Sequence, residues 1–169
     1  GIMGKLDMTE YLMNWREDVQ FIICVGNNDK AREELLENPV YHHPNIQVKG
    51  FTDNIDKLMD VADLLITKPG GMTCTEAMAK GLPMLFYDAI PGQEEENLQY
   101  FISRGFAETI DSINVVEKWL NLLVSDYSGY KKIRQSIDMN IHAYRPERCV
   151  ETILQYMDES FETSRSWIN

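Results

Sequence analysis

The densest run of residues able to do chemistry is Lys68-Pro69-Gly70-Gly71-Met72-Thr73, followed at Glu76 by a carboxylate. Adjacent glycines let the backbone turn tightly and admit a ligand where a Cβ would otherwise stand. A helix beginning near Met72 would aim unpaired N–H groups, and the positive end of its dipole, into that space. Such a place suits a phosphate or diphosphate. Thr73 adds a hydroxyl donor and Lys68 a positive charge. The same residues have a plainer reading, because Thr73-x-x-Glu76 is the spacing of a capping box, with Glu76 reaching back to the cap amide. Spacing alone leaves both open.

Pro91-Gly92-Gln93-Glu94-Glu95-Glu96-Asn97 is the second conspicuous segment. Gln93, Glu94 and Asn97 carry hydrogen-bonding groups at i, i+1 and i+4 that could grip sugar hydroxyls. An acidic helix start that complements the dipole is the alternative. Gly26-Asn27-Asn28-Asp29 and Gly50-Phe51-Thr52-Asp53 each follow an apolar run, where loops of parallel α/β sheets hold ligands. Other chemistries lack their residues. No serine or cysteine has a nucleophile-elbow context, and His42, His43 and His142 read as surface side chains. Cys24, Cys74 and Cys149 form no C-x-x-C pair, which argues against a zinc site. They are expected to be small buried apolar groups in a reducing cytosol. No catalytic residue and no metal ligand is assigned in the chain.

The elements that must position these loops alternate along the sequence. Apolar runs Phe21–Val25, Ile46 with Val48, Leu64–Ile66 and Met84–Tyr87 predict strands. Ala31–Leu36, Ile55–Ala62, Met72–Lys80 and Glu94–Arg104 predict the helices after them, with Gly81 and Gly105 as stops. Continuous apolar strands separated by helices predict a parallel sheet covered on both faces, in the doubly wound, Rossmann-like α/β class. Beyond Ser112 the pattern is helical at Val115–Val124, Tyr130–Ile141 and Glu147–Met157, with a tail at Phe161–Asn169. Trp15, Trp119 and Tyr130 sit at helical spacing and read as core or interface rather than as ligand platforms. The opening Gly1-Ile2-Met3-Gly4 runs straight into a helix, as though the sequence began inside or just after a strand-to-helix glycine loop, with a tag residue as the competing source of Gly1 alone, and no secretory leader is read there.

At 169 residues the chain is long enough for one domain. A net charge of −11 without a basic cluster sets nucleic-acid binding aside, and also makes this domain a poor source of attraction to an anionic membrane.

Gly50-Phe51-Thr52-Asp53-Asn54-Ile55, Ile66–Thr73 with Thr75-Glu76-Ala77, Gly81-Leu82-Pro83 and Pro91–Asn97 come in an order that resembles the C-terminal domain of diacylglycerol glycosyltransferases. These comprise the processive diacylglycerol glucosyltransferases and monogalactosyldiacylglycerol synthases of glycosyltransferase family 28. They are similar, more distantly, to the lipid II N-acetylglucosaminyltransferase. The tight match covers about sixty residues, with looser agreement from Asp18 to Ser125. The resemblance implies one lobe of a GT-B enzyme, residues 1–169, which binds a UDP-sugar. An absent N-terminal domain would bring the lipid acceptor and the general base, so that this chain alone is inactive. It implies Phe51 and Thr52 beside uracil, Gly70, Gly71, Met72 and Thr73 at the diphosphate and ribose, and Glu76 on the ribose hydroxyls. Gln93, Glu94 and Asn97 would lie near the hexose. Gly26 and Asn28 fall in a Cys-Gly-x-Asn-like segment, here altered by Val25 and Asn27. The implied reaction is inverting hexosyl transfer to a lipid such as diacylglycerol, without cofactor or metal, at the inner face of the cell membrane. A UDP-N-acetylglucosamine-dependent transferase acting on a lipid-linked peptidoglycan or glycan acceptor, and a stand-alone nucleotide-sugar module, remain the alternatives.

Overall fold

Apolar runs become strands and amphipathic stretches become helices in the order the spacing predicts. The computed structural model describes residues 5–142 and 150–157. Gly1–Gly4, the Glu147 start of the last expected helix and the Phe161–Asn169 tail lie outside the described residues. The elements are α1 (Lys5–Leu12), β1 (Phe21–Cys24), α2 (Asp29–Glu37), β2 (Ile46–Lys49), α3 (Ile55–Val61), β3 (Leu65–Thr67), α4 (Gly71–Ala79), β4 (Met84–Phe86), α5 (Gln93–Ser103), β5 (Ala107–Thr109), α6 (Ile113–Ser125) and α7 (Tyr127–His142). Residues 150–157 are helical as well.

Every strand pairing is parallel, as the βα alternation requires. The described residues form two sheets rather than one continuous one: β1 pairs with β2, and β3, β4 and β5 follow in that order. Two cores lie on opposite faces, because successive side chains of a strand point to opposite sides. Leu65 joins Met59, Met78, Phe86, Phe101 and Ile137 on one face, while its neighbour Ile66 joins Leu12, Met13, Val116 and Leu120 on the other. Trp119 and Tyr130 are buried as expected, and Trp15 packs against the second core.

Two expectations are corrected. The sheet is not covered on both faces throughout: Phe21 and Ile23 pack inward with α1 and α2, whereas Ile22 and Cys24 on the opposite side of β1 are exposed. Cys24 is therefore not a buried group, although Cys74 is. The reason is that α1 and α2 both lie on the Phe21 side, and α3 contributes to the other core. Second, β5 was not foreseen.

Tyr130 ties α7 to the sheet. Its hydroxyl donates to the Asp63 carbonyl at 2.8 Å, and the ring is 1% exposed. Burial is the main reason its phenol is pushed up to about 12, and burial likewise pushes the Cys74 thiol up to about 12. Both groups must stay neutral in the fold. A folded pKa above the unfolded one gives stability that is complete below the unfolded value and lost as pH climbs through the folded one. Unfolding free energy is therefore expected to fall between pH 9 and 12, from the ordinary thiol and phenol values of 9.0 and 10.0 upward. Tyr130→Phe should cost about 1–2 kcal/mol at pH 7 by orphaning the carbonyl, and should make the decline above pH 10 shallower. Urea titrations at pH 7, 10 and 11 check this. An unchanged slope in the variant would acquit the phenol.

Candidate functional site

The polypeptide leaves β3 at Thr67 and enters α4 four residues later. Pro69 is fully buried, so the turn is anchored from beneath. Gly70 is the N-cap of α4 with φ −74° and ψ 132°, and Gly71 is the first helical residue. The Gly70 carbonyl accepts the first helical bond, from Cys74 N at 3.0 Å. No side chain caps this helix. The amides of Gly71, Met72 and Thr73 therefore begin the helix without a protein acceptor from a cap. The capping box does not form, because a capping threonine would have to occupy the N-cap position, which Gly70 holds. Thr73 sits two residues inside the helix and Glu76 is exposed on the same helix face one turn on. A Cβ on Gly70 would meet nothing within 4 Å, so the mouth in front of the helix end is open.

Helix α5 closes one side of this mouth. Asn97 Nδ2 donates to the Pro69 carbonyl at 3.0 Å and would sit 3.6 Å from a Cβ on Gly71. Asn97 thus holds the glycine turn in place before it can serve a ligand. Glu94 turns back to its own loop, its Oε2 accepting from Ile90 N at 2.9 Å. Gln93 opens α5 and is exposed after Gly92, whose φ of +107° favours glycine. The sequence reading missed Asp88. This residue follows β4 with φ +52°, a conformation that Asp tolerates better than most side chains. Its carboxylate pairs with Lys68 Nζ at 3.5 Å. The available signal was an Asp just past the carboxyl end of an apolar strand. Lys68 consequently stands at the mouth with a carboxylate partner that an incoming anion could replace.

The other predicted residues sit at the ends of β1 and β2, in the second sheet. Gly26 has φ +60°, and its carbonyl lies 3.7 Å from where a Cβ on Gly50 would be, which brings these two loops together. Asn28 is the N-cap of α2, accepting from Ala31 N at 3.1 Å, so its side-chain oxygen already has a structural task. Phe51 is 68% exposed, an unburied ring beside the Gly26 loop. Thr52 Oγ1 accepts from Asn54 N at 3.2 Å and shapes the entry to α3.

The Gly26 and Gly50 loops follow the carboxyl ends of β1 and β2, and the Gly70 loop follows that of β3. Helices α1 and α2 lie on one face, α3, α4 and α5 on the other. Parallel α/β sheets open a crevice where the winding reverses, outside the carboxyl ends of the strands. The reversal here falls between β1 and β3, the two strands that deliver the Gly26 and Gly70 loops.

These features define a Rossmann-like α/β lobe with an uncapped, glycine-led helix end at its switch point. Residues 5–140 match the glycosyltransferase family 28 C-terminal domain, and the chain belongs to that family. It is 35% identical over 162 residues to the processive diacylglycerol beta-glucosyltransferase of Bacillus cytotoxicus, covering 95% of this chain and 40% of that protein. It is 37% identical over 159 residues to the protein of the same name from Bacillus cereus strain ATCC 10987, covering 91% and 40%. For the Bacillus subtilis strain 168 protein of that name the identity is 32% over 140 residues, covering 82% and 36%. The chain thus spans about 40% of the length of the curated relatives it matches. The crystal structure of the glycotransferase of kitacinnamycin aligns with a TM-score of 0.57 at 18% identity, over 82% of this chain and 37% of that one. That likeness shows a shared fold over the aligned lobe.

Proposed function

We propose that the chain is the donor-binding lobe of a transferase that moves a hexose from a UDP-sugar to a lipid hydroxyl, such as that of diacylglycerol, with inversion. The observation that carries this reading is the uncapped α4 terminus behind an open glycine mouth. The names of the relatives supply the acceptor class.

The amides of Gly71, Met72 and Thr73 receive the diphosphate, with Lys68 leaving Asp88 to add charge. Glu76 accepts from the ribose hydroxyls, Phe51 and Thr52 border the uracil, and Gln93, with Glu94 and Asn97, lies toward the hexose. Gly26 leaves room for the donor, and Asn28 shapes that loop. In the reaction a bond forms between the lipid oxygen and the anomeric carbon as the bond from that carbon to the diphosphate breaks. The hydroxyl proton goes to a base. Charge gathering on the departing UDP meets a preorganised helix end in place of a metal ion, an interaction of the oxyanion-hole kind. The base and the lipid site belong to an N-terminal lobe of the longer protein, so the 169-residue chain binds donor without turnover. Among the described residues no helix is long and apolar enough to cross a membrane. In this reading the acceptor lobe brings the enzyme to the cytoplasmic membrane face, because a lobe of net charge −11 is repelled by anionic lipid.

Calorimetric titration with UDP, then UDP-glucose, UDP-galactose and UDP-N-acetylglucosamine, tests the proposal and ranks the donors. A folded chain that binds no UDP at millimolar concentration would sink it. A marked preference for the N-acetylated donor would shift the acceptor toward lipid-linked glycans. Glu76→Ala separates ligand from fold. Glu76 is exposed and forms no capping box, so stability should stay within about 0.5 kcal/mol, while UDP affinity drops about tenfold, equivalent to about 1.4 kcal/mol. Lost stability with retained affinity would restore the capping explanation.

A further inference from the structure

A charge pair stands at the glycine mouth. Lys68 directly follows β3 and Asp88 lies two residues past β4, and these strands are parallel neighbours with Thr67 opposite Phe86. Tyr87 N donates to the Thr67 carbonyl at 3.1 Å, so the two segments are still joined where they leave the sheet. Lys68 Nζ lies 3.5 Å from Asp88 Oδ2 across that join. The two side chains are 31% and 53% exposed, and ion pairs so open to water are weak enough for a ligand to break. The Asp88 backbone has φ +52°, a conformation that asparagine and glycine adopt as readily. Neither conformation nor burial therefore calls for a carboxylate at this position. Its charge, beside a mouth that must attract an anion, works against binding. Glu94 does not share the place, since its Oε2 accepts from Ile90 N in its own loop.

The pair lies on the α5 side of the glycine turn. It bridges β3 and β4, and Asn97 of α5 holds the Pro69 carbonyl at 3.0 Å beside it. Phe51 and Thr52 stand on the other side, after β2 of the second sheet. With uracil beside Phe51 and the hexose toward Gln93, the phosphate nearest Lys68 and Asp88 is the one that bears the sugar. That phosphate changes charge in the reaction. Esterified to a hexose it holds one negative charge, whereas in free UDP it is terminal and holds about 1.5–2 at neutral pH. Attraction to Lys68 and repulsion by Asp88 both scale with that charge. We propose that Asp88 is a specificity-determining residue: by holding Lys68 and opposing added negative charge at the mouth, it weakens the binding of spent UDP more than that of UDP-sugar. The α4 amides remain available to both ligands, so the donor is retained while the product is let go. Product release limits the turnover of many enzymes, which gives a counter-charge at this place a use. The inference rests on the donor reading.

Calorimetric titration of UDP and of UDP-glucose into the 169-residue chain and its Asp88→Asn variant tests this. In low-salt buffer at neutral pH the variant is expected to bind UDP about fivefold more tightly and UDP-glucose about twofold, the scale on which exposed charge pairs act. The ratio of the donor's dissociation constant to the product's should therefore rise about two- to threefold. Asp88→Gly accepts the same φ and should give the same shift, which covers the case of a poorly folded first variant. At about 0.5 M salt the gain should shrink toward none, because screening weakens interactions between exposed charges. Equal tightening of both ligands, no change, or weaker binding in the folded variants would overturn the inference, as would a gain indifferent to salt. A parent chain that binds neither ligand sinks the donor reading and this inference together. A parent that binds both, with the ratio unmoved in the variants, overturns this inference alone.

Discussion

Gly70→Asp should make the chain more stable and a much poorer UDP binder. Gly70 has φ −74° and ψ 132°, a backbone that any residue can adopt, and a Cβ there meets nothing within 4 Å. Neither conformation nor packing demands a glycine. An aspartate at an N-cap is a better cap than glycine by a few tenths of a kcal/mol, and its charge complements the helix dipole by about 0.3–1 kcal/mol. The unfolding free energy should rise by roughly 0.5–1 kcal/mol on those two grounds. The same carboxylate would occupy the amides that the diphosphate needs. Hydrogen bonds to a charged group contribute about 1.5–3 kcal/mol each, so two of them displaced lower affinity about 100-fold or more. Gly70→Ser should share the stability gain with a smaller loss of affinity, since it caps without repelling the ligand. Thermal denaturation and UDP calorimetry on the same preparations give both numbers. Full affinity in Gly70→Asp would mean the donor's phosphates sit elsewhere.

That variant probes the ambiguity the sequence left standing at Thr73 and Glu76. Periodicity located α4 and its glycines to within a residue. It could not decide which residue becomes the N-cap, because that depends on where the strand before it ends. Thr67 closes β3, Pro69 is buried, and the helix therefore starts at Gly71 rather than beyond Thr73. The strands were readable where apolar residues run on, as in Phe21–Cys24 and Met84–Phe86. Ala107–Thr109 was not, since Ala-Glu-Thr carries no apolar run and becomes a strand by lying against β4. Asp88 escaped for a similar reason: its link to Lys68 spans twenty residues and exists only once β3 and β4 are neighbours. The roles of Glu94 and Asn97 were visible as side-chain types, but their partners Ile90 N and the Pro69 carbonyl are set by tertiary structure. The uncovered Ile22 face was hidden too. An apolar run reads as two-sided burial whether or not a cover is present.

Phe101→Ala should produce the opposite pattern to Gly70→Asp. Phe101 is 4% exposed on α5, with ring centroids 6.2 Å from Phe86, 6.4 Å from Phe106 and 5.1 Å from Tyr100. All three ring pairs meet edge to face, the arrangement aromatic quadrupoles favour. Removing the ring leaves a cavity at the join of α5, β4 and the turn before β5, and should cost about 3–5 kcal/mol. That is a large part of the roughly 5–15 kcal/mol a domain possesses, so the variant needs measurement by urea titration well below its melting temperature. Phe101→Leu, which refills most of the space, should lose clearly less. Asn97 lies one turn earlier on the same helix and holds Pro69, so loosening Phe101 should first appear as faster amide exchange along α5. While the chain remains folded, the α4 amides are still in place and UDP affinity should fall only a few-fold, far less than the 100-fold expected for Gly70→Asp. A loss of affinity matching that of Gly70→Asp would show that α5, and not the α4 terminus, carries the ligand. A stability cost under about 1 kcal/mol would instead contradict the packing that positions α5 beside the glycine turn.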